Sequence, residues 1–141
     1  MARQFLLLGA VFVLVGCGPS TAPVSGRVTL DNKPLVNATV IFEPDTDAKT
    51  PGPGAQGKTD ANGEYTLQLF AGGTKGALLG KHIVRITAYE GDDGTVPSSD
   101  PNSPFRKPLL DDRYNATSEL RFDVPPGGST SANFDLKSGA S

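Results

Sequence analysis

Tryptophan is absent from this 141-residue chain, and cysteine, histidine and methionine occur once each. One cysteine, Cys17, leaves no partner for an intramolecular disulfide, so the fold must be held by its core. One histidine, His82, leaves no set of His and Cys ligands from which a zinc site could be assembled. With no Trp and only three Tyr, the chain is poor in the rings on which sugars stack. No run of Lys or Arg marks a nucleic-acid or anionic-lipid surface, so nucleic acid is excluded as a partner. The longest apolar stretch, residues 5–15, covers about eleven positions, short of the roughly twenty that a membrane-spanning helix needs. Gly and Pro together number 29, below the share expected of a low-complexity chain, and they punctuate a folded domain.

The amino terminus has the layout of a secretory signal: Arg3, then the apolar residues 5–15 broken only by Gly9, then small residues. Leu14-Val15-Gly16-Cys17 resembles a bacterial lipobox, which implies cleavage before Cys17 and transfer of a diacylglyceryl group to its thiol. A buried core cysteine is the competing reading, but Gly18-Pro19-Ser20-Thr21 follows at once. Removing residues 1–16 leaves 125 residues of net charge about −3, enough for one domain. Two or three acyl chains, palmitate among them, hold a protein on a bilayer stably. Residues 17–23 are the lipidated cysteine and its tether; the six residues after Cys17 reach at most about 20 Å, which keeps the domain close to its membrane. Gly18 stands where an Asp can retain lipoproteins in an inner membrane, so an outer-membrane anchor is favoured, facing the periplasm or the cell surface.

Residues 24–137 read as short strands with period-two alternation. Val24, Gly26, Val28 and Leu30 share one face; Ala38, Val40 and Phe42 another; Tyr65, Leu67 and Leu69 a third. The pattern continues with His82, Val84, Ile86 and Ala88, with Leu120, Phe122 and Val124, and with Ala132, Phe134 and Leu136. Turns are expected at Asp31-Asn32-Lys33-Pro34 and at Val36-Asn37. No segment of the mature chain shows a helical stripe, so six or seven antiparallel strands, each with one apolar face, predict an all-β sandwich. Residues 44–56, 70–80 and 91–117 read as loops, and residues 138–141 as a tail. The longest loop carries four prolines, and Tyr114 near its end is expected to pin it to the domain.

Several stretches carry the outline of chemistry. In Asp60-Ala61-Asn62-Gly63, the Asp and Asn can bond nearby backbone and the Gly supplies a positive φ before a strand. A calcium loop would need further oxygen ligands and a Glu about six residues past the glycine, where Ala71 and Gly72 lie. Gly52-Pro53-Gly54-Ala55-Gln56-Gly57-Lys58-Thr59 matches the phosphate-binding P-loop pattern literally. That loop works by opening a helix, and here a turn and a strand follow, so nucleotide binding is not expected. His82, on one face with Val84 and Ile86, reads as packing rather than as a triad base. Asp92-Asp93 and Asp111-Asp112 are adjacent carboxylates in a loop and read as solvated surface.

The segment from Val24-Ser25-Gly26-Arg27-Val28-Thr29-Leu30 through Asp31-Asn32-Lys33-Pro34-Leu35 to Ala38-Thr39-Val40-Ile41-Phe42 resembles the opening of carboxypeptidase regulatory-like domains. Thr59-Asp60-Ala61-Asn62-Gly63-Glu64-Tyr65 is similar to that family's turn-and-strand signature, and Gly80-Lys81-His82-Ile83-Val84-Arg85-Ile86 to its next strand. Arg113-Tyr114-Asn115 and Ser118-Glu119-Leu120 resemble the closing segment of its small bacterial lipoprotein members. The resemblance implies a seven-stranded, transthyretin-like Greek-key sandwich. It is to the accessory domain of carboxypeptidases, so no zinc-dependent catalysis is implied. The related hydroxyisourate hydrolases use more than one histidine and a distinctive C-terminal end, which Phe134-Asp135-Leu136-Lys137-Ser138-Gly139-Ala140-Ser141 does not reproduce. The expectation is a non-enzymatic envelope lipoprotein without catalytic residues, metal or cofactor. It is anchored to the membrane at Cys17, with an envelope protein as partner. A carbohydrate-binding module with a polysaccharide ligand is the alternative, for which an exposed Tyr89 ring beside Arg85 would speak.

Overall fold

The computed structural model describes residues 20–46, 52–91 and 107–139, so Cys17, the segment read as a signal (residues 1–16) and residues 92–106 lie outside the described residues. The chain is all-β, with several sheets and, among the described residues, no α-helix. Its strands are β1 (Thr21–Ala22), β2 (Ser25–Leu30), β3 (Lys33–Pro34), β4 (Thr39–Pro44), β5 (Ala55–Lys58) and β6 (Glu64–Thr66). They continue with β7 (Gln68–Leu69), β8 (Ala77–Leu78), β9 (Gly80–Thr87), β10 (Arg121–Val124) and β11 (Phe134–Leu136). A single 3-10 turn, Asp112–Tyr114, interrupts them.

One sheet runs β10-β9-β4-β5-β7, antiparallel throughout. The other is centred on β2, which pairs with β11 in parallel on one side and with β6 and β3 along the other. The alternation read from the sequence selects the inner faces: Val28, Val40, Phe42, Leu67, Val84, Ile86 and Leu136 are all fully buried between the sheets. Phe42 lies at the centre, its ring 5.7 Å from His82, 5.6 Å from Phe122 and 6.2 Å from Phe134. Phe134 belongs to β11, so this cluster joins the two sheets.

Local sequence explains the turns. Asp31 and Asn32, both at positive φ, form a two-residue link that puts Leu30 opposite Lys33, the geometry that suits the twist of a tight hairpin. Glu64 to Leu69 is a single extended stretch divided at Leu67: β6 pairs with β2 in one sheet and β7 with β5 in the other. The stretch is thus a corner, and β5 crosses it so closely that a Cβ on Gly57 would stand 2.5 Å from the Thr66 carbonyl oxygen.

Three strands fall where loops or tether were expected. β5 begins in the loop read over residues 44–56 and is not legible as a strand, because its Ala-Gln-Gly-Lys offers one apolar side chain and so no visible alternation. β1 and β8 pair with each other, Thr21 opposite Leu78 and Ala22 opposite Ala77, and the Ser20 carbonyl accepts from the Leu79 amide at 3.1 Å. Ser20 is therefore already bonded into the domain, inside the stretch read as a tether. Phe122 is only half-buried, because β10 is an edge strand of its sheet.

The strand directions define two poles. Pro44, Gly80, Val124, β1 and β8 lie at the amino-terminal pole. Thr39, Thr87, the Asp31-Asn32 link and the Asp60–Gly63 turn lie at the opposite one. Six-residue strands separate the poles by about 20 Å.

Candidate functional site

The opposite pole carries the base of the long loop. Beyond β9 the chain zips onto the loop's return: Glu90 donates to the Lys107 carbonyl at 2.9 Å, Leu109 to the Ala88 carbonyl at 2.9 Å, and Tyr89 stands opposite Pro108. The Lys107–Glu90 ion pair at 2.9 Å adds little, since both side chains are open to solvent. The returning segment is then fastened to both sheets. Ser118 Oγ, buried, donates to the Val84 carbonyl at 2.5 Å. Arg85 donates through Nε to Glu43 Oε2 at 2.8 Å and through its guanidinium to the Asn115 carbonyl. Tyr114 sits where the sequence suggested. Its hydroxyl accepts from the Lys137 amide at 3.0 Å and donates to the Lys137 carbonyl at 3.3 Å, which ties the loop to the end of β11. Arg113 Nη2 reaches the same carbonyl at 2.8 Å.

Tyr114 was legible as an aromatic near a loop end. Arg85 and Ser118 were not, because their partners are backbone carbonyls some thirty residues away. Asp111 and Asp112 are exposed in the turn, Asp111 at 3.4 Å from Arg113. Asp92 and Asp93 lie outside the described residues.

The residues with catalytic outlines are engaged structurally. His82 is fully buried; its Nδ1 donates to the Gly80 carbonyl at 2.9 Å, which assigns the proton to Nδ1, and Nε2 has no hydrogen-bond partner among the described residues. Burial lowers its pKa against the opposing effects of the Gly80 carbonyl and Asp123. Thr59, the last residue of the P-loop-like string, is buried; its hydroxyl donates to the Leu35 carbonyl at 2.6 Å and accepts from the Ala38 amide at 2.8 Å. Most of the string's second half is strand β5, and a turn and strand β6 follow it, with no helix N-terminus to cradle a phosphate. Asp60 Oδ1 accepts from the Asn62 and Glu64 amides at 2.8 and 2.9 Å, and Gly63 takes φ +75° against the Val28 carbonyl. The carboxylate thus closes the turn that launches β6. Among the described residues, no three His, Cys, Asp or Glu side chains gather as metal ligands.

The buried histidine makes stability depend on pH. Its folded-state pKa lies below the ordinary value of about 6.5, so below that pH the unfolded chain binds a proton that the folded one does not. Stability conferred by neutral His82 is complete above about pH 6.5. It is lost as the pH falls from there toward the folded-state value, at no more than about 1.4 kcal/mol per pH unit. Urea titrations at pH 7.5 and pH 5 should show this loss in the parent protein and a much smaller one in His82→Leu. Equal losses in both would assign the effect to other groups.

An open cleft of about 630 Å³ lies over β2 and β6, lined by Ser25, Arg27, Lys58, Glu64, Thr66 and Asn133 among others. It is polar and of mixed charge. The Tyr65 ring beside it is buried, with its hydroxyl donating to the Ala132 carbonyl at 2.5 Å and its pKa pushed up by burial. Tyr89 is half-buried, lining with Pro108 and Leu110 a small cavity of about 50 Å³ under the loop's return, while the Arg85 side chain is held by Glu43 and Asn115.

No family model and no curated protein matches the chain. Among solved structures it is similar to the crystal structure of a 9R-lipoxygenase from Cyanothece PCC8801, at 18% identity and a TM-score of 0.37. That likeness covers 83% of this chain but only 16% of the lipoxygenase, and it fixes neither fold nor activity.

Proposed function

We propose that the mature chain is a non-enzymatic envelope lipoprotein, anchored through Cys17 to a membrane, outer rather than inner, and that its β-sandwich presents the loop of residues 91–117 to a protein partner. The observation that carries this reading is the fastening of the loop's base. Ser118, Arg85, Arg113 and Tyr114 spend their polar groups on holding a segment that contributes few residues to the core. A base held in this way lowers the ordering cost of presenting a loop for binding. Against catalysis stands the chemistry of His82, the sole side chain that titrates near neutrality unperturbed. It is buried, with Nδ1 engaged by the Gly80 carbonyl, which suits packing better than acid-base work.

For the fold, the same proposal takes the seven-stranded, transthyretin-like Greek key of carboxypeptidase regulatory-like domains. In its support, joining β6 with β7 and setting aside the two-residue β1, β3 and β8 leaves seven principal strands in two sheets. The polysaccharide alternative would use the polar cleft over β2 and β6, which offers hydrogen-bonding groups but no exposed ring for a sugar to stack upon.

Replacing residues 92–106 by a short Gly-Ser link should abolish protein crosslinks in the native envelope and leave the thermal midpoint within a few degrees. Crosslinks that survive the replacement would refute the loop's role. Glycan binding lost on Arg27→Ala with Glu64→Ala would favour the polysaccharide, and hydrolysis of an envelope substrate that vanishes in His82→Ala, with the fold intact, would overturn the non-enzymatic reading.

A further inference from the structure

We propose that the amino-terminal pole rests on the bilayer, with the Phe70 ring entering the lipid headgroup region beside the anchor; this rests on the lipid-anchor reading above. Because Ser20 is bonded into the domain, only Gly18 and Pro19 stand between it and Cys17 in the sequence, and three residues reach about 10 Å at most. The pole bearing β1 is therefore pressed toward the membrane by the length of the chain alone.

That pole carries the largest exposed apolar side chain among the described residues. Phe70 is 52% exposed at the end of β7, its amide donating to the Gly54 carbonyl at 3.0 Å. A Cβ on Gly54 would stand 2.9 Å from the Phe70 ring, and one on Gly52 would stand 2.3 Å from Leu78 Cδ1. Leu78 pairs with Thr21, so Phe70 and the first strand lie at the same pole. The turn after Phe70 is Ala71-Gly72-Gly73, where neither glycine has a neighbour within 4 Å of a Cβ position, so nothing within the described domain covers it. The pole is otherwise of mixed charge: Lys75 and Lys81 are exposed, Asp123 stands opposite Lys81 in register, and Asp45, half-buried, donates its amide to the Lys81 carbonyl, so apolar insertion of the ring rather than net charge carries the contact. An exposed aromatic ring is among the features found where a protein meets a membrane surface.

The absence of tryptophan makes the test specific. Phe70→Trp places a single indole at this pole, and Leu109→Trp, at a site 38% exposed, places one at the other. Each lipidated variant is reconstituted into phosphatidylethanolamine–phosphatidylglycerol vesicles with plain or brominated acyl chains. Bromines should quench the indole at 70 by about twofold or more, as expected for a ring 5–10 Å below the surface, and leave the one at 109 unchanged. Equal quenching at both sites, or none at 70 in protein that floats with the vesicles, would overturn the inference while leaving the anchor intact. Protein that does not float would fail the anchor reading and this one with it. A concentration-dependent blue shift of the indole at 70 in lipid-free Cys17→Ser protein would assign the ring to a second copy of the chain and likewise overturn it. Thermal midpoints of both variants within a few degrees of the parent establish that each reports on the folded domain.

Discussion

Phe42→Ala is expected to cost about 3–5 kcal/mol, the largest loss of any single truncation in this domain. The ring is 0% exposed, and it meets His82 from β9, Phe122 from β10 and Phe134 from β11. Removing it opens a cavity that neighbouring strands cannot close, because Phe42 sits in β4, paired on both sides along most of its length. A domain of this size has a total stability of about 5–15 kcal/mol, so the variant should approach the folding threshold. Phe122→Ala serves as the comparison. The sequence pattern placed this ring in the same class, but on an edge strand it is half-buried, so its removal should cost roughly half as much. Arg121→Ala, outward on the same strand, should cost under about 0.5 kcal/mol. Denaturant titration separates the three, and equal losses at positions 42 and 122 would refute a cluster centred on Phe42.

Cys17→Ser should move the protein from membranes to the soluble fraction essentially completely. Each buried methylene of an acyl chain contributes about 0.8 kcal/mol, and one chain alone binds only marginally, so two or three chains account for stable anchoring and their loss for full release. The described hydrogen bonds of the domain begin at Ser20, so the urea midpoint should not change. Fractionation with and without the substitution, together with mass spectrometry of the amino-terminal peptide, checks both parts. Unmodified Cys17 recovered from membrane-bound protein would refute lipidation.

The inner faces of the sheets were legible because the sheets turn one side to water: every second residue of β2, β4, β9 and β11, His82 excepted, is apolar or glycine. Depth was not legible. Alternation gives Phe122 and Phe42 the same rank, and only strand order separates an edge ring from a central one. β5 escaped notice because its inner face consists of Ala55 and Gly57, chosen for the close passage of the corner rather than for hydrophobicity. The Asp60–Gly63 turn was readable, since its hydrogen bonds run between neighbours in sequence. The clamp by Arg85 and Ser118 depends on carbonyls brought close by the fold, and no local signal marks it.

The parallel pairing of β2 with β11 ties the order of folding to the order of synthesis. Thr29 bonds Asp135, and Arg27 bonds Asn133, each across 106 positions of sequence. β2 emerges first among the long strands and must wait for nearly the last residues before its outer edge is satisfied. Closing so large a loop is slow and offers no early reward, which keeps the leading part of the chain open while the rest follows. If the chain is exported as proposed, that delay would suit its passage, because the sheet around β2 cannot close until β11 has come through.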